Sequence, residues 1–176
     1  EEVTNFNIGD KVYSRVSGDQ PGTFAEFIAI DCNLAYHMPN NLSFKEASSL
    51  PLVGLTTIQS FEKAGLKAND RILIHAGSGG IGTFAIQYAK SKGAFVYTTT
   101  STNNVEWVKE LGADVVIDYK KDNYQDIAKD IDVVYDTLGG EYTTDAFNII
   151  KEGGKVISIA GDIDKETSIE LGLNTF

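Results

Sequence analysis

Apolar residues change their spacing near residue 45. Before it they come in short β-rich runs, Asp10-Lys11-Val12-Tyr13-Ser14 and Phe24-Ala25-Glu26-Phe27-Ile28-Ala29-Ile30. The turn-forming Ser17-Gly18-Asp19-Gln20-Pro21-Gly22 separates them, and both runs read as strands. After residue 45, wholly apolar runs alternate with helical periods. The pattern predicts strands over 71–76, 94–99, 114–118, 131–136 and 154–160. Between the first two, Ile81, Phe84, Ala85, Tyr88 and Ala89 fall at i, i+3, i+4, i+7 and i+8, one face of a helix that ends before Gly93. The next helix sets Val105, Val108 and Leu111 on one face, with Gly112 as its stop. Such a series buries parallel strands under helices on both faces, an α/β doubly wound sheet. The expected domains are 1–44, β-rich and partial, and 45–176, the parallel sheet.

The first of these strands runs into Gly77-Ser78-Gly79-Gly80-Ile81-Gly82, with a helix immediately after. That is G-x-G-x-x-G in the strand-before, helix-after context of a Rossmann dinucleotide site. Gly77 is expected to permit the tight turn, Gly79 to let backbone approach a pyrophosphate, and Gly82 to let helix and strand pack closely. The helix offers unpaired N–H groups and its positive end to the phosphates. Gly77, Ser78, Gly79, Gly80, Ile81 and Gly82 are therefore candidate cofactor-binding residues.

Composition narrows the partners. With 15 Lys and Arg against 25 Asp and Glu, the net charge of −10 argues against nucleic acid and anionic membranes. A single cysteine, Cys32, rules out an internal disulfide and any multi-cysteine zinc site. No apolar run is long enough to span a bilayer, and Glu-Glu-Val-Thr is no signal peptide. The chain reads as soluble and cytoplasmic. It also reads as a fragment: residues 1–44 hold too few strands to close a barrel, and the strand–helix series stops at Gly172-Leu173-Asn174-Thr175-Phe176, one strand short of two mononucleotide-binding halves.

Further landmarks accompany the glycine loop. Gly9-Asp10-Lys11-Val12-Tyr13, Gly22-Thr23-Phe24-Ala25-Glu26-Phe27, Leu50-Pro51-Leu52-Val53-Gly54-Leu55-Thr56-Thr57, Leu111-Gly112-Ala113-Asp114 and Asp136-Thr137-Leu138-Gly139-Gly140 follow in order along nearly the whole chain. Together they resemble the medium-chain dehydrogenases/reductases, and most of all the zinc-independent quinone oxidoreductase branch. Leu-Pro-Leu-Val-Gly-Leu-Thr with Val-Ile-Asp-Tyr is similar to the reticulon-4-interacting-protein-like reductases. The resemblance implies a remnant of a GroES-like catalytic domain before a Rossmann domain, and a homodimer for the full-length protein. It also implies NADPH-dependent reduction of a quinone or an α,β-unsaturated carbonyl. Thr56 falls where the resemblance places the carboxamide end of nicotinamide; its other reading is a helix N-terminal threonine satisfying backbone.

Zinc is not expected. Counting back from the glycine loop, a cysteine ligand of zinc-dependent relatives falls near Leu52, whose side chain cannot bind metal. His37, in a loop before Met38-Pro39, and His75, ending a buried strand, have no ligand cluster beside them in sequence. For the cofactor, an NAD enzyme normally ends its second strand in Asp or Glu. Here that strand ends Tyr97-Thr98-Thr99-Thr100-Ser101-Thr102-Asn103-Asn104, and the first acid is Glu106. Hydroxyls at Thr100 and Ser101 suit a 2′-phosphate, although threonines also simply form strands and Ser101 could be a helix cap. The resemblance adds Tyr119 as a phosphate contact. No Arg or Lys stands in 100–105, so Lys120 or a residue beyond Phe176 is left to supply the cation. Nicotinamide should lie at the carboxyl ends of the strands, where Leu138, Gly139 and Ala160 leave room for a flat ring; turn glycines are the other reading. Three rival functions stay open: a non-catalytic NADPH-binding protein, a zinc alcohol dehydrogenase, and an enoyl reductase domain of a larger synthase.

Overall fold

A computed structural model describes residues 3–19, 22–161 and, as backbone, 174–175, and among these described residues it has eight strands and six α-helices. They divide into two units, Glu1–Leu55 and Thr56–Phe176. The division falls eleven residues beyond the compositional break at 44.

In the first unit, β1 (Val12–Ser14) pairs antiparallel with β2 (Ala35–His37), Tyr13 opposite Tyr36. The Ser14 hydroxyl donates to Leu34 O at 2.7 Å and Met38 N–H to Lys11 O at 2.9 Å, extending the ladder at both ends. His37 is thus a strand residue and not the loop residue expected. The strand expected over 24–30 does not form. A strand exists only where a second backbone satisfies its N–H and C=O groups, and among the described residues none runs along this segment, which leaves Phe24 and Phe27 exposed. Gln20 and Pro21 of the expected turn lie outside the described residues. α1 (Phe44–Ser48) starts at a capping box: Glu46 N–H donates to Ser43 Oγ, and Glu46 Oε2 accepts Ser43 N–H at 2.8 Å.

α2 (Leu50–Ala64) follows, with Pro51 in its first turn, where a missing N–H breaks no helical bond. Its end is fixed by Gly65 at φ 64°, with Leu66 N–H reaching back to Phe61 O at 3.0 Å, and by Lys155 Nζ donating to Ala64 O at 2.5 Å. The periodic reading did not assign this helix.

The second unit is a six-stranded sheet in the order β5-β4-β3-β6-β7-β8, all parallel. Its strands are β3 (Arg71–Ile74), β4 (Phe95–Thr100), β5 (Val115–Asp118), β6 (Ile131–Asp136), β7 (Ile150–Ser158) and β8 (Asn174–Thr175). α3 (Gly80–Ser91), α4 (Val105–Glu110), α5 (Tyr124–Ile127) and α6 (Glu141–Asp145) join them. Residues 172, 173 and 176 of the expected chain end lie outside the described residues, whereas 174–175 form β8; the series is therefore not one strand short as expected, because β8 pairs in parallel with β7 as the sixth strand. Alternation sorts the core into two layers. Ile72, Ile74, Val96 and Tyr135 pack with Ala85, Ile86 and Val108 on one face; Leu73, Tyr97, Ile117 and Val134 pack with Tyr124, Ala128 and Ala146 on the other. The doubly wound α/β sheet is as the pattern predicts. Because β3 lies between β4 and β6, the chain reverses its direction of winding there, which opens a crevice outside the carboxyl ends of β3 and β6. No helix of the described residues is long and apolar enough to cross a membrane.

Candidate cofactor-binding site

The turn after β3 is built differently from expectation. The left-handed residue is Ala76, at φ 54°, and not Gly77. Ala76 is held there because its N–H donates to Thr99 Oγ1 at 3.2 Å and the next N–H, of Gly77, to Thr99 O at 2.8 Å. Gly77 is needed for room: a Cβ there would stand 2.3 Å from Thr98 Oγ1, which itself donates to Ile74 O. Gly82 lies against the turn, where a Cβ would meet Ala76 O at 2.3 Å. Helix and strand therefore touch backbone to backbone.

Gly79 and Gly80 are instead exposed. Gly79 is the N-cap of the 12-residue α3 and makes no side-chain cap hydrogen bond. The first-turn N–H groups are thus left without a capping side chain at the positive end of the helix dipole, where a phosphate would be held. Ser78 stands half-buried beside it, and Ile81 packs its side chain on the core, leaving only its N–H for a ligand.

At the ends of β4 and β5, Thr100 is in register with Asp118, and Tyr119 N–H donates to Thr100 O at 3.1 Å. Thr100 is buried and its Oγ1 has no partner among the described residues, so only its backbone C=O reaches Tyr119. Ser101 sits at the N-cap position of the 3-10 turn Thr102–Asn104 but does not cap it; its Oγ accepts from Asn104 Nδ2 at 3.0 Å. Tyr119 is half exposed, with Lys120 Nζ 5.3 Å from its ring centroid. These two line a cavity of about 420 Å³ with Tyr124 and Tyr142. Reading the sequence linearly, Glu106 was the nearest acid; the fold brings Asp118 closer. Burial pushes the Asp118 carboxyl up, but bonds from the Thr102 hydroxyl, the Lys121 ammonium (3.1 Å) and Lys120 N–H (3.1 Å) outweigh it and hold it below its usual range. Only strand register reveals that neighbour.

Leu138 and Gly139 follow β6, and Ala160 follows β7. Gly139 has φ 75°, and a Cβ on it would lie 2.9 Å from Ala160 O. The two loops therefore meet. Thr56 lies in the middle of α2, which removes its reading as an N-terminal threonine, and it lines a cavity of about 280 Å³ with Ser60, Ile157, Ser158 and Ile159. The glycine loop, Ser101, Tyr119, Leu138, Gly139 and Ala160 are thus gathered along the carboxyl edge of the sheet, and Thr56 stands beside the end of β7.

His75, just past β3, is fully buried beneath this edge. Its Nδ1 is 3.3 Å from Thr99 Oγ1, its Nε2 has no partner among the described residues, and the rings of Tyr124 and Tyr142 meet it edge-on at 4.9 and 5.2 Å. Burial lowers its pKa to about 4, opposed by the nearby Asp136 carboxylate. The unfolded chain takes up the proton near pH 6.5 and the folded one refuses it, so stability is full above 6.5 and falls as pH drops towards 4. Between pH 7 and 5 that amounts to about 2 kcal/mol. Urea titrations at both pH values are expected to show the loss, and His75→Phe to flatten it; an equal slope in both proteins would refute it.

The donor chemistry does not fit zinc. Leu52 is an exposed hydrocarbon on α2, Cys32 is a half-buried free thiol, and His75 is surrounded by phenol rings and a hydroxyl. Among the described residues, no three or more His, Cys, Asp or Glu converge on one point.

Residues 80–176 match the family model described as zinc-binding dehydrogenase. The chain is 37% identical over 169 residues to an Arabidopsis thaliana chloroplastic protein named NADPH-dependent alkenal/one oxidoreductase, covering 92% of this chain and 43% of that one. It is 35% identical over 168 residues to the Danio rerio mitochondrial protein named NAD(P)H oxidoreductase RTN4IP1, covering 90% and 43%. Among solved structures, the quinone oxidoreductase of Coxiella burnetii superposes with a TM-score of 0.88 at 36% identity, over 99% of this chain and 57% of that one. The chain thus spans about half the length of its relatives.

Proposed function

The chain belongs to the zinc-binding dehydrogenases of the medium-chain dehydrogenase/reductase superfamily, on their quinone oxidoreductase branch, and we propose that it carries the NADPH-binding half of an enzyme that reduces quinones or α,β-unsaturated carbonyls. The intact enzyme acts as a cytoplasmic homodimer without zinc, with residues 1–44 contributing to its catalytic domain.

The observation that carries this reading is the exposed Gly79-Gly80 cradle at the uncapped start of α3. The first-turn N–H groups of Gly80, Ile81 and Gly82 and the hydroxyl of Ser78 would hold a pyrophosphate there. The ends of β4 and β5 would receive the adenosine end. Ser101, Tyr119 and Lys120 would hold the 2′-phosphate there, with Thr100 supporting Tyr119 through its backbone C=O. Leu138, Gly139 and Ala160 would seat the nicotinamide end, and Thr56 would bind its carboxamide. NADPH, when bound, supplies a hydride from its nicotinamide C4 to the electron-poor carbon of the acceptor. These loops orient the ring and keep water from it. The charge that develops on the acceptor oxygen is met by hydrogen-bond donors and a proton.

Intact protein is expected to oxidise NADPH with 9,10-phenanthrenequinone at a rate unchanged by chelator, and to leave simple alcohols unoxidised, because those need a metal to acidify the hydroxyl. Elemental analysis alongside steady-state rates is the test. Stoichiometric zinc with chelator-sensitive turnover would move the protein to the alcohol dehydrogenases. NADPH binding without turnover of any quinone or enone would leave a non-catalytic binder.

A further inference from the structure

The two oxygens of Asp136 do separate work. Asp136 ends β6 and is fully buried. Its Oδ1 accepts the N–H groups of Leu138 at 2.9 Å and Gly139 at 3.0 Å, which folds the turn after β6. Its Oδ2 accepts two hydroxyls, that of Thr143 on α6 and that of Ser158 at the end of β7, the latter at 3.1 Å. Burial alone would raise this carboxyl, yet the four bonds outweigh it and keep the group ionised.

The strap continues. Ser158 Oγ accepts the N–H of Ala160 at 3.3 Å, and Ile159 N–H donates to Asp136 O at 3.1 Å. The end of β7 is thereby drawn against the turn after β6, where Gly139 has no Cβ to keep Ala160 O away. Thr137 Oγ1, next along the turn, donates to His75 O at 2.9 Å and fastens the same turn to the end of β3. Three strand ends are held by one buried anion and its neighbour.

We propose that Asp136 is a positioning residue which, through Ser158, sets the spacing of Gly139 and Ala160 and so the seat of the nicotinamide half of the cofactor. This rests on the NADPH reading above. A group that only stabilised the fold would not distinguish one half of the cofactor from the other. The adenosine end is held elsewhere, at the ends of β4 and β5.

The test compares NADPH with 2′,5′-ADP, which carries the adenosine and 2′-phosphate but no nicotinamide, by calorimetric titration of the intact protein. Asp136→Asn keeps Oδ1 and its turn but puts a donor in place of Oδ2, facing hydroxyls that now donate. Ser158→Ala removes the β7 strap alone and guards against a folding defect in the first variant. Each is expected to weaken NADPH roughly five- to tenfold, the value of one or two buried hydrogen bonds, while 2′,5′-ADP stays within about twofold by the same measure. Parallel weakening of both ligands, or unchanged NADPH affinity in both variants, would overturn the positioning role. Wild-type protein that binds 2′,5′-ADP and NADPH equally poorly would instead bring down the cofactor reading, and this inference with it.

Discussion

Gly80→Val in the intact protein is expected to leave the fold in place and to lower NADPH affinity more than a hundredfold. The glycines of the loop divide by burial. Gly77 and Gly82 are enclosed, each with a heavy atom 2.3 Å from where a Cβ would be, so substitution there attacks the packing of strand on helix. Gly80 is exposed at the first position of α3, where valine is a better helix former than glycine and so costs the helix nothing by propensity. Its branched side chain would cover the N–H groups that pyrophosphate needs. Losing two or three charge-assisted bonds amounts to about 3 kcal/mol or more. Circular dichroism and fluorescence titration together decide it. A folded variant with NADPH affinity intact would make the loop a turn and nothing more. Gly82→Ala gives the control: it should lose thermal stability first, with binding failing only as the fold does.

What could be read in the sequence was whatever depends on near neighbours. Ile72-Leu73-Ile74 announces a strand buried on both faces, and Ile81, Phe84, Ala85 and Tyr88 announce a helix, because side-chain direction follows from chain period alone. The misses share a cause. Phe24 to Ile30 has a strand's composition, but pairing depends on a second backbone that no local pattern encodes. Ala76 takes the left-handed turn in place of Gly77 because Thr99, far along the chain, supplies the bonds that hold it. α2 went unassigned because its polar and apolar residues are mixed through Leu-Thr-Thr-Ile-Gln-Ser, and its buried face appears only once β6 and β7 are in place. Asp118 and Asp136 escaped for the same reason: each is a carboxylate at the end of an apolar strand, and its partners come from other strand ends or from the loop beyond. The glycine spacing located the site, and tertiary register determined its chemistry.

Ser101→Asp is expected to reverse the cofactor preference, from NADPH over NADH to NADH over NADPH. Ser101 stands half-buried where β4 ends, on the neighbouring strand to Tyr119 and Lys120. A carboxylate there would accept ribose hydroxyls of NADH and face the 2′-phosphate of NADPH, with a repulsion of about 4 kcal/mol per charge pair at 4 Å in a surface dielectric. The change in the affinity ratio should therefore approach a thousandfold. Asp118 does not already impose this. It is 6% exposed, its carboxylate is turned to Lys120 N–H and the Lys121 ammonium, and its charge is balanced at the turn. Aspartate at 101 is also compatible with the local fold, since an N-cap position favours it. Fluorescence titration with both nucleotides gives the answer. A preference that does not move would show that the 2′-position lies away from the end of β4, and the NADP assignment built on Ser101, Tyr119 and Lys120 would fall.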